Sequence, residues 1–289
     1  SIYGWRGAKS ENINRFTKDY KNTEIIRLEQ NYRSTSVILG AANAVIKNNQ
    51  GRMGKELWTD QKEGEPISIY SAYNEDDEAR YVVGSIQNWM EQGRDLSEVA
   101  ILYRSNAQSR ALEEAILREG LAYRIYGGLR FYERAEIKNA MSYLRLVFGR
   151  EDDAAFERVI NIPPRGIGAK TLDLIRARAQ KIESSLWKAC QDLIETDGLT
   201  SRASQSVKGF MSDFEALEIE IKDLSLRDLV DHTIQRSGLI EYHKKEAGEK
   251  GRTRVENLAE LVTAASDFEP EPLDESEEVP LKLFIDHAA

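Results

Sequence analysis

Tyr32 and Arg33 stand side by side where a predicted strand gives way to a predicted helix. The tyrosine offers a flat ring that can stack on a base, and the arginine offers five N–H donors that suit phosphate oxygens. Ligands of open α/β sheets bind beyond the carboxyl ends of the strands. The pair therefore predicts one edge of a nucleotide site. The alternative is that Tyr32 packs beneath the helix and Arg33 pairs with a surface carboxylate.

The segments on either side of this pair predict how it is held. Residues 23–28 form an apolar, β-branched run typical of a buried strand, and apolar residues recur with helical spacing over 37–46. Ser34 or Thr35 could cap this helix with its hydroxyl, and the free N–H groups of the first turn would make a mildly positive end. The spacing places Tyr32 and Arg33 in a strand-to-helix turn.

The same alternation of strand and helix continues to residue 126. Further strands are predicted over 67–69, 99–103 and 123–126, separated by a helix that follows Asn74 and by another that ends at Gly120. Alternation of this kind indicates a parallel sheet with helices on both faces.

Beyond residues 127–128 the pattern becomes helical, so the predicted fold class is α/β followed by an all-α region. The one specific motif there is P-P-R-G-I-G-A-K-T at 163–171, with two glycines around an aliphatic residue between amphipathic helices. Such a sequence suits a helix-hairpin-helix, in which exposed N–H groups at a helix start hold a phosphate. The residues predicted to contact DNA are Gly166, Gly168, Lys170 and Thr171. The alternative is a turn that only packs two helices together.

The charge of the chain bears on how it could bind DNA. The 289 residues carry a net charge of -9, made up of +2 in residues 1–150 and -11 in residues 151–289. DNA-binding proteins usually show a basic face, so this charge argues against tight autonomous binding but allows local contacts by backbone N–H groups and a few arginines. The acidic, proline-containing run 267–279 is expected to be a flexible, solvated loop.

Other features of composition exclude several classes of site. The single cysteine, Cys190, cannot form an internal disulfide and fits a reducing compartment. Cys190, His232 and His243 have no companions at metal-ligand spacing, so no metal site is predicted. No apolar run approaches the roughly 20 residues of a membrane span. We therefore expect a cytoplasmic protein with no membrane partner.

The stretch Q-N-Y-R-S-T at 30–35 resembles a signature of superfamily-1 DNA helicases of the UvrD, PcrA and Rep type. Further stretches that resemble this family are 1–8, 52–59, 103–106, 127–138, 163–171 and 253–258. The loops around Trp58 and Gly128 match the UvrD group most closely. The resemblance implies an ATP-driven 3′-to-5′ DNA helicase acting in repair, with a RecA-like sheet and with ATP and Mg²⁺ as cofactors. It also implies that Tyr32 stacks on adenine and Arg33 contacts the γ-phosphate.

The resemblance implies contacts with single-stranded DNA as well. Trp5 would stack on a base, with Tyr3 and Arg6 lining the same groove, and the alternative is that Trp5 closes a small core. Arg104 and Asn106 would meet the phosphates and bases of the tracking strand. Here the alternative is a helix-capping Asn106 beside a solvated Arg104.

The domain assignment that follows has three parts. Residues 1–22 would end a first RecA-like domain and 23–126 would begin a second. Residues 127–289 would form an inserted helical subdomain that contacts duplex DNA through 163–171. Because the sequence starts at Ser1, in mid-motif, we expect a middle piece of a longer protein.

No G-x-x-x-x-G-K-[ST] phosphate-binding loop occurs in the sequence. We therefore expect the piece alone to show no ATPase or unwinding activity and to hold no ATP or Mg²⁺. One alternative function is a non-catalytic module that binds DNA or a repair protein. Another is a helicase-like subunit of a recombination nuclease, although no nuclease carboxylate cluster is evident. The sequence leaves the repair partners and the oligomeric state open.

Overall fold

The computed structural model describes residues 15–16, 19–20, 22–49, 54–61, 63–126, 128–268 and 279–288. The chain forms two compact units, residues 1–74 and residues 75–289. The predicted DNA contacts Tyr3, Trp5 and Arg6 lie outside the described residues. The assignment of 1–22, 23–126 and 127–289 to separate domains stays a prediction.

The described part of the first unit is built around one helix, α1, Ser36–Lys47. The helical spacing over 37–46 is therefore confirmed. Asn43 on this helix fastens the segment 54–61, because its side-chain amide donates to the carbonyl of Leu57 at 2.8 Å and accepts from the N–H of Leu57 at 3.1 Å. Leu39 is the one fully buried side chain among the described residues of this unit. The described part of this unit therefore has very little core of its own.

The prediction of a parallel sheet with helices on both faces is wrong. Among the described residues the only β pairing is a single parallel bridge between Gln30 and Trp58. The runs over 67–69 and 99–103 are irregular; Ile69 and Leu102 are 92% and 93% exposed, while Ile101 packs against α2 and α3 without any strand pairing. A β-branched sequence favours extended backbone, but a strand also needs a neighbour to take its N–H and C=O groups. No such neighbour lies beside these runs in the described chain.

The second unit is helical, as predicted for the region after residue 127 and for the helices after Asn74 and before Gly120. Its first two helices are α2, Glu75–Glu91, and α3, Ser109–Arg118. The helices that follow are α4, Ala135–Phe148, α5, Asp153–Val159, α6, Ala169–Ile182, α7, Leu186–Glu195, α8, Ser201–Glu220, α9, Leu226–Arg236, α10, Leu239–Lys244, α11, Glu249–Asp267, and α12, Pro280–His287. Short 3-10 turns occur at Leu96–Glu98, Asn106–Gln108 and Phe131–Glu133.

An aromatic cluster lies at the centre of this unit. The Phe156 ring meets the rings of Phe210 and Trp187 edge-on, with centroids 5.6 and 6.3 Å apart, and Phe210 meets Phe214 at 5.1 Å. Edge-to-face pairs of this kind add about 0.5–1.5 kcal/mol each beyond the area that they bury. Cys190 is fully buried in the same core, and burial raises the pKa of its thiol to about 12.

A buried arginine ties three helices of this unit together. Arg110 of α3 is 2% exposed and forms ion pairs with Glu75 at 2.6 Å and Glu114 at 3.0 Å. It also pairs with Glu260 at 2.5 Å and Asp267 at 2.9 Å, both on α11. Asp267 was predicted to begin a solvated acidic loop, but it ends a helix and binds an arginine. Most of the remainder of that run lies outside the described residues.

An open groove lies on the surface of this unit. The irregular segments 99–103 and 121–126, with the faces of α2 and α3, line an open groove of about 820 Å³. None of the described helices combines the length and the apolar character needed to cross a membrane.

Candidate functional site

The backbone that carries Tyr32 and Arg33 is shaped by the residue before them. The side-chain oxygen of Asn31 accepts hydrogen bonds from the N–H groups of Arg33 at 2.9 Å and Ser34 at 2.8 Å. This is an Asx turn, and it leads the chain into α1. Thr35 occupies the N-cap position but its hydroxyl makes no capping hydrogen bond. The predicted cap by Thr35 is therefore wrong, and the first-turn N–H of Val37 donates to the carbonyl of Glu63 at 3.4 Å.

Hydrogen bonds with the segment 54–61 also hold Tyr32 in place. Gln61 donates from its side-chain amide to the carbonyl of Tyr32 at 2.6 Å. The Tyr32 hydroxyl donates to the Gln30 side chain at 2.9 Å, and the Gln30 amide donates to Asp60 at 2.8 Å. The hydroxyl is thus fixed while the ring itself is 76% exposed. The alternative in which Tyr32 packs beneath the helix is wrong.

The Arg33 side chain is exposed. Within the described chain no carboxylate lies within ion-pair distance of its guanidinium, so the alternative of a surface ion pair finds no support there. A guanidinium without a protein anion keeps its donors available for phosphate oxygens. Tyr32 and Arg33 together present a ring face and a cation on one turn.

The loop with Arg104 and Asn106 belongs to the second unit. Both side chains are exposed, and the cap of the following 3-10 turn is Ser105, whose hydroxyl accepts from the Ala107 N–H. The Gln108 side chain completes a capping box by accepting from the N–H groups of Arg104 at 3.0 Å and Ser105 at 2.9 Å. The alternative in which Asn106 caps the helix is therefore wrong, because Ser105 is the capping residue.

A buried polar network fixes this loop to α11. Arg134 donates to the carbonyl of Asn106 at 2.8 Å and to the side-chain oxygen of Asn257 at 3.0 Å. Asn257, 1% exposed, donates in turn to Glu136 at 2.6 Å. The Ser105 hydroxyl meets Glu256, the neighbour of Asn257, at 3.2 Å. The stretch 253–258 therefore positions this loop through partners that lie more than a hundred residues away in the sequence.

The predicted hairpin joins α5 to α6 through residues 160–168. Gly166 adopts φ +76°, which only glycine takes readily, whereas Gly168 has φ -84° and is the N-cap residue of α6. Lys170 is exposed and Thr171 is half-buried. Gly166, Gly168, Lys170 and Thr171 thus share the turn that leads into α6, and their contact with DNA stays a prediction.

The start of α6 offers free hydrogen-bond donors. Gly168 accepts from the N–H groups of Thr171 at 3.0 Å and Leu172 at 3.1 Å. The N–H groups of Ala169 and Lys170, the first two residues of the same turn, meet no acceptor in the part of the chain that the structure describes. Unpaired first-turn N–H groups and the positive end of a helix dipole both favour an anion. The arrangement suits a phosphate oxygen.

The described residues contain no group of three or more His, Cys, Asp and Glu side chains that could hold a metal ion. The four carboxylates around Arg110 are directed at its guanidinium. No residue in the described ranges is therefore assigned to Mg²⁺.

Comparison with known proteins adds a family and several relatives. A family described as the UvrD-like helicase C-terminal domain matches residues 26–289. The chain is 56% identical over its full length to DNA helicase II of Escherichia coli (strain K12) and 55% identical to that of Salmonella typhimurium, and it spans 40% of the length of each. It is 42% identical over 276 residues to the ATP-dependent DNA helicase PcrA of Staphylococcus epidermidis, which covers 95% of this chain and 38% of the relative.

Proposed function

Because this chain belongs to the UvrD-like helicase C-terminal domain family, we propose that it is part of an ATP-dependent 3′-to-5′ DNA helicase that acts in DNA repair in the cytoplasm. In this proposal the hairpin at 163–171, as a helix-hairpin-helix, contacts duplex DNA, and Tyr32 and Arg33 contact ATP. The relatives are named as DNA helicases, which supports DNA as the partner.

The observation that carries the duplex contact is the freedom around Gly168. A methyl group added to its Cα would meet no atom within 4 Å, and its φ of -84° suits any residue. No neighbouring atom therefore excludes a side chain at this position, although glycine also caps a helix better than alanine. A glycine leaves room for a ligand backbone to approach closely. The N–H groups of Ala169 and Lys170, which meet no acceptor among the described residues, lie next to it.

The test compares Gly168→Ala with Gly166→Ala in the 289-residue chain. Gly168→Ala should lower the free energy of unfolding by less than about 1 kcal/mol, because it weakens only the helix cap, but it should weaken duplex binding, as followed by fluorescence anisotropy at low salt. Gly166→Ala should cost about 1 kcal/mol or more of stability, because its φ is +76°. Unchanged duplex affinity in Gly168→Ala would remove the support for this contact.

A comparison variant, Trp5→Ala, tests whether the duplex affinity comes from the hairpin. Trp5→Ala should leave duplex affinity unchanged while the hairpin variant loses it. The binding should also fall steeply with salt and show no preference between duplex sequences, since backbone N–H groups read only phosphates. Equal losses in the two variants would assign the affinity elsewhere.

The nucleotide contact is proposed for Tyr32 and Arg33. The exposed ring and the exposed guanidinium, which pairs with none of the described carboxylates, fit adenine and phosphate, and ATP when bound supplies the free energy of phosphoryl transfer. Asn31 and Gln61 hold the turn so that both side chains face outward. No step is assigned to Mg²⁺, because the described residues offer it no ligand set.

The single-strand contacts are also proposals. Arg104 and Asn106 have exposed side chains on a loop that a buried network holds in place, which suits contact with a passing strand. Trp5, Tyr3 and Arg6 are proposed to bind the same strand on the strength of the family motif.

A second candidate function is a non-catalytic module that binds duplex DNA. It is favoured by the absence of a phosphate-binding loop from the 289 residues and by the separate core of the second unit. The two proposals differ in one measurement on this chain. DNA-stimulated ATP hydrolysis by the purified chain would contradict the expectation that it is inactive alone.

A further inference from the structure

Arg165 lies in the connection between α5 and α6, directly before the first hairpin glycine, and its side chain turns back beneath the loop. One terminal nitrogen donates to the carbonyls of Val159 and Pro163, both at 3.1 Å. The other donates to the Tyr143 hydroxyl at 2.6 Å. Its backbone N–H donates to the side-chain oxygen of Asn161 at 2.7 Å. One side chain thus fixes both ends of the segment 159–163.

The acceptor beneath the loop is itself rigid. Tyr143 is 2% exposed, and its ring stacks on Phe214 with centroids 5.5 Å apart and planes 8° from parallel. Its hydroxyl donates to the carbonyl of Ile162 at 2.7 Å while it accepts from Arg165. The guanidinium of Arg165 also lies over the Phe210 ring, 5.1 Å from its centroid. The hairpin therefore rests on the aromatic core through this arginine.

Arg165 forms no ion pair with any of the described carboxylates. Its acceptors are two carbonyls and one hydroxyl. Burial raises the pKa of Tyr143, against the opposing effect of Arg165, so the hydroxyl stays neutral at physiological pH. The charge of Asp213 also raises the pKa of Tyr143, but Asp213 does not pair with Arg165. A positive charge that no described ion pair neutralises therefore lies behind the turn.

We propose that Arg165 is a positioning residue for phosphate binding by the hairpin. Its planar fork holds the carbonyls of Val159 and Pro163 inward, which keeps the N–H groups of Ala169 and Lys170 outward, and its charge attracts the anion that they bind. This inference rests on the proposed duplex contact and names the residue that prepares it. A lysine would keep the charge but could not span three oxygens in one plane.

The test measures duplex binding by the 289-residue chain across a range of salt concentrations. Arg165→Gln should weaken binding about tenfold and reduce the slope of log K against log salt by about 1. Arg165→Lys should lose nearly as much affinity, because the geometry is lost although the charge remains. Recovery of the original affinity in Arg165→Lys would overturn the positioning role and leave only a charge effect.

A matched control comes from α6 itself. Arg176 is exposed there and already paired with Glu157 at 2.5 Å and Asp173 at 3.1 Å. Arg176→Gln removes one arginine from the helix that follows the hairpin but leaves the loop unchanged, so duplex affinity should change less than about twofold. An effect of Arg176→Gln equal to that of Arg165→Gln would also overturn the proposal.

A second variant, Tyr143→Phe, distinguishes loss of the Arg165 contact from loss of the fold. Tyr143→Phe keeps the ring stack on Phe214 and removes only the hydroxyl that Arg165 holds. It should weaken binding by itself, and the double variant Arg165→Gln with Tyr143→Phe should lose less than the sum of the two, because both act through one contact. Strictly additive losses, or no loss in either single variant, would overturn the inference. Absence of duplex binding by the unaltered chain would instead overturn the proposed function, and this inference with it.

Discussion

Cys190 illustrates how burial changes the chemistry of a single residue. Its thiol is fully buried among the aromatic side chains of the second unit, and its pKa rises from 9.0 to about 12. In the unfolded chain the thiol loses its proton above pH 9, while in the folded chain it keeps the proton up to about pH 12. The contribution of the thiol to stability is therefore complete below pH 9 and is lost as the pH rises through this window.

We expect this loss to be visible as a difference between two proteins. Between pH 8 and pH 10 the free energy of unfolding of the unaltered chain should fall about 1 kcal/mol further than that of Cys190→Ala. Urea denaturation followed by circular dichroism at each pH gives both values. Cys190→Ala is also the control for the other titrating groups, because the lysines and tyrosines that titrate in the same range are common to both proteins. Parallel curves would show that the thiol ionises normally in the folded state.

The local sequence predicts a turn at Tyr32 and Arg33 before α1 and a turn with Gly166 and Gly168 before α6, and both helices are present. The roles of these four residues in binding stay predictions. The sequence does not predict the main contact of Arg165, because folding brings the Tyr143 hydroxyl to it from 22 residues away. An asparagine shortly before a predicted helix start was a local signal for the turn at Asn31, and it was available in the sequence.

At the scale of the element, the helices were predictable and the strands were not. Helical spacing is satisfied within one segment, so α1, α2 and α4 follow from their own residues. A strand depends on a partner elsewhere in the chain, and the runs at 67–69 and 99–103 have none within the described ranges. The same distinction explains why the acidic end of α11 was misread as a solvated loop, since its partner Arg110 lies 157 residues away.

The joint between α2, α3 and α11 depends on Arg110. Arg110→Gln should lower the free energy of unfolding by about 3 kcal/mol or more, because it leaves Glu260, 13% exposed, and its acidic neighbours without a counter-charge. Chemical denaturation of the second unit measures the loss. Arg227→Gln serves as the control, because Arg227 pairs with Asp228 at the surface and should matter by less than about 0.5 kcal/mol. Equal effects would mean that the buried joint contributes no more than a surface pair.

At the scale of the whole molecule, the two units differ in how much core they contain. The second unit buries a continuous set of apolar side chains from α4 to α12, whereas Leu39 is the one fully buried residue among those described in the first. Opening free energies follow buried apolar contacts. The first unit should therefore open far more readily than the second.

Hydrogen exchange provides the measurement. Amides of α1 should exchange orders of magnitude faster than those of α4 and α8 in the same sample, since the core around Phe210 protects the latter. Limited proteolysis should likewise cut within residues 22–49 before it cuts the helical core. The two regions act as controls for one another. Equal protection of α1 and α4 would contradict this division.

The burial of Cys190 also has a practical consequence for experiments on the hairpin. Since the chain has no other cysteine and this one is inaccessible, a cysteine introduced at an exposed position such as Arg202 becomes a unique attachment point for a dye. Energy transfer from that dye to an acceptor on a short duplex would report the distance at which DNA is held. The native chain thus accepts site-specific fluorescent labelling without prior removal of a cysteine.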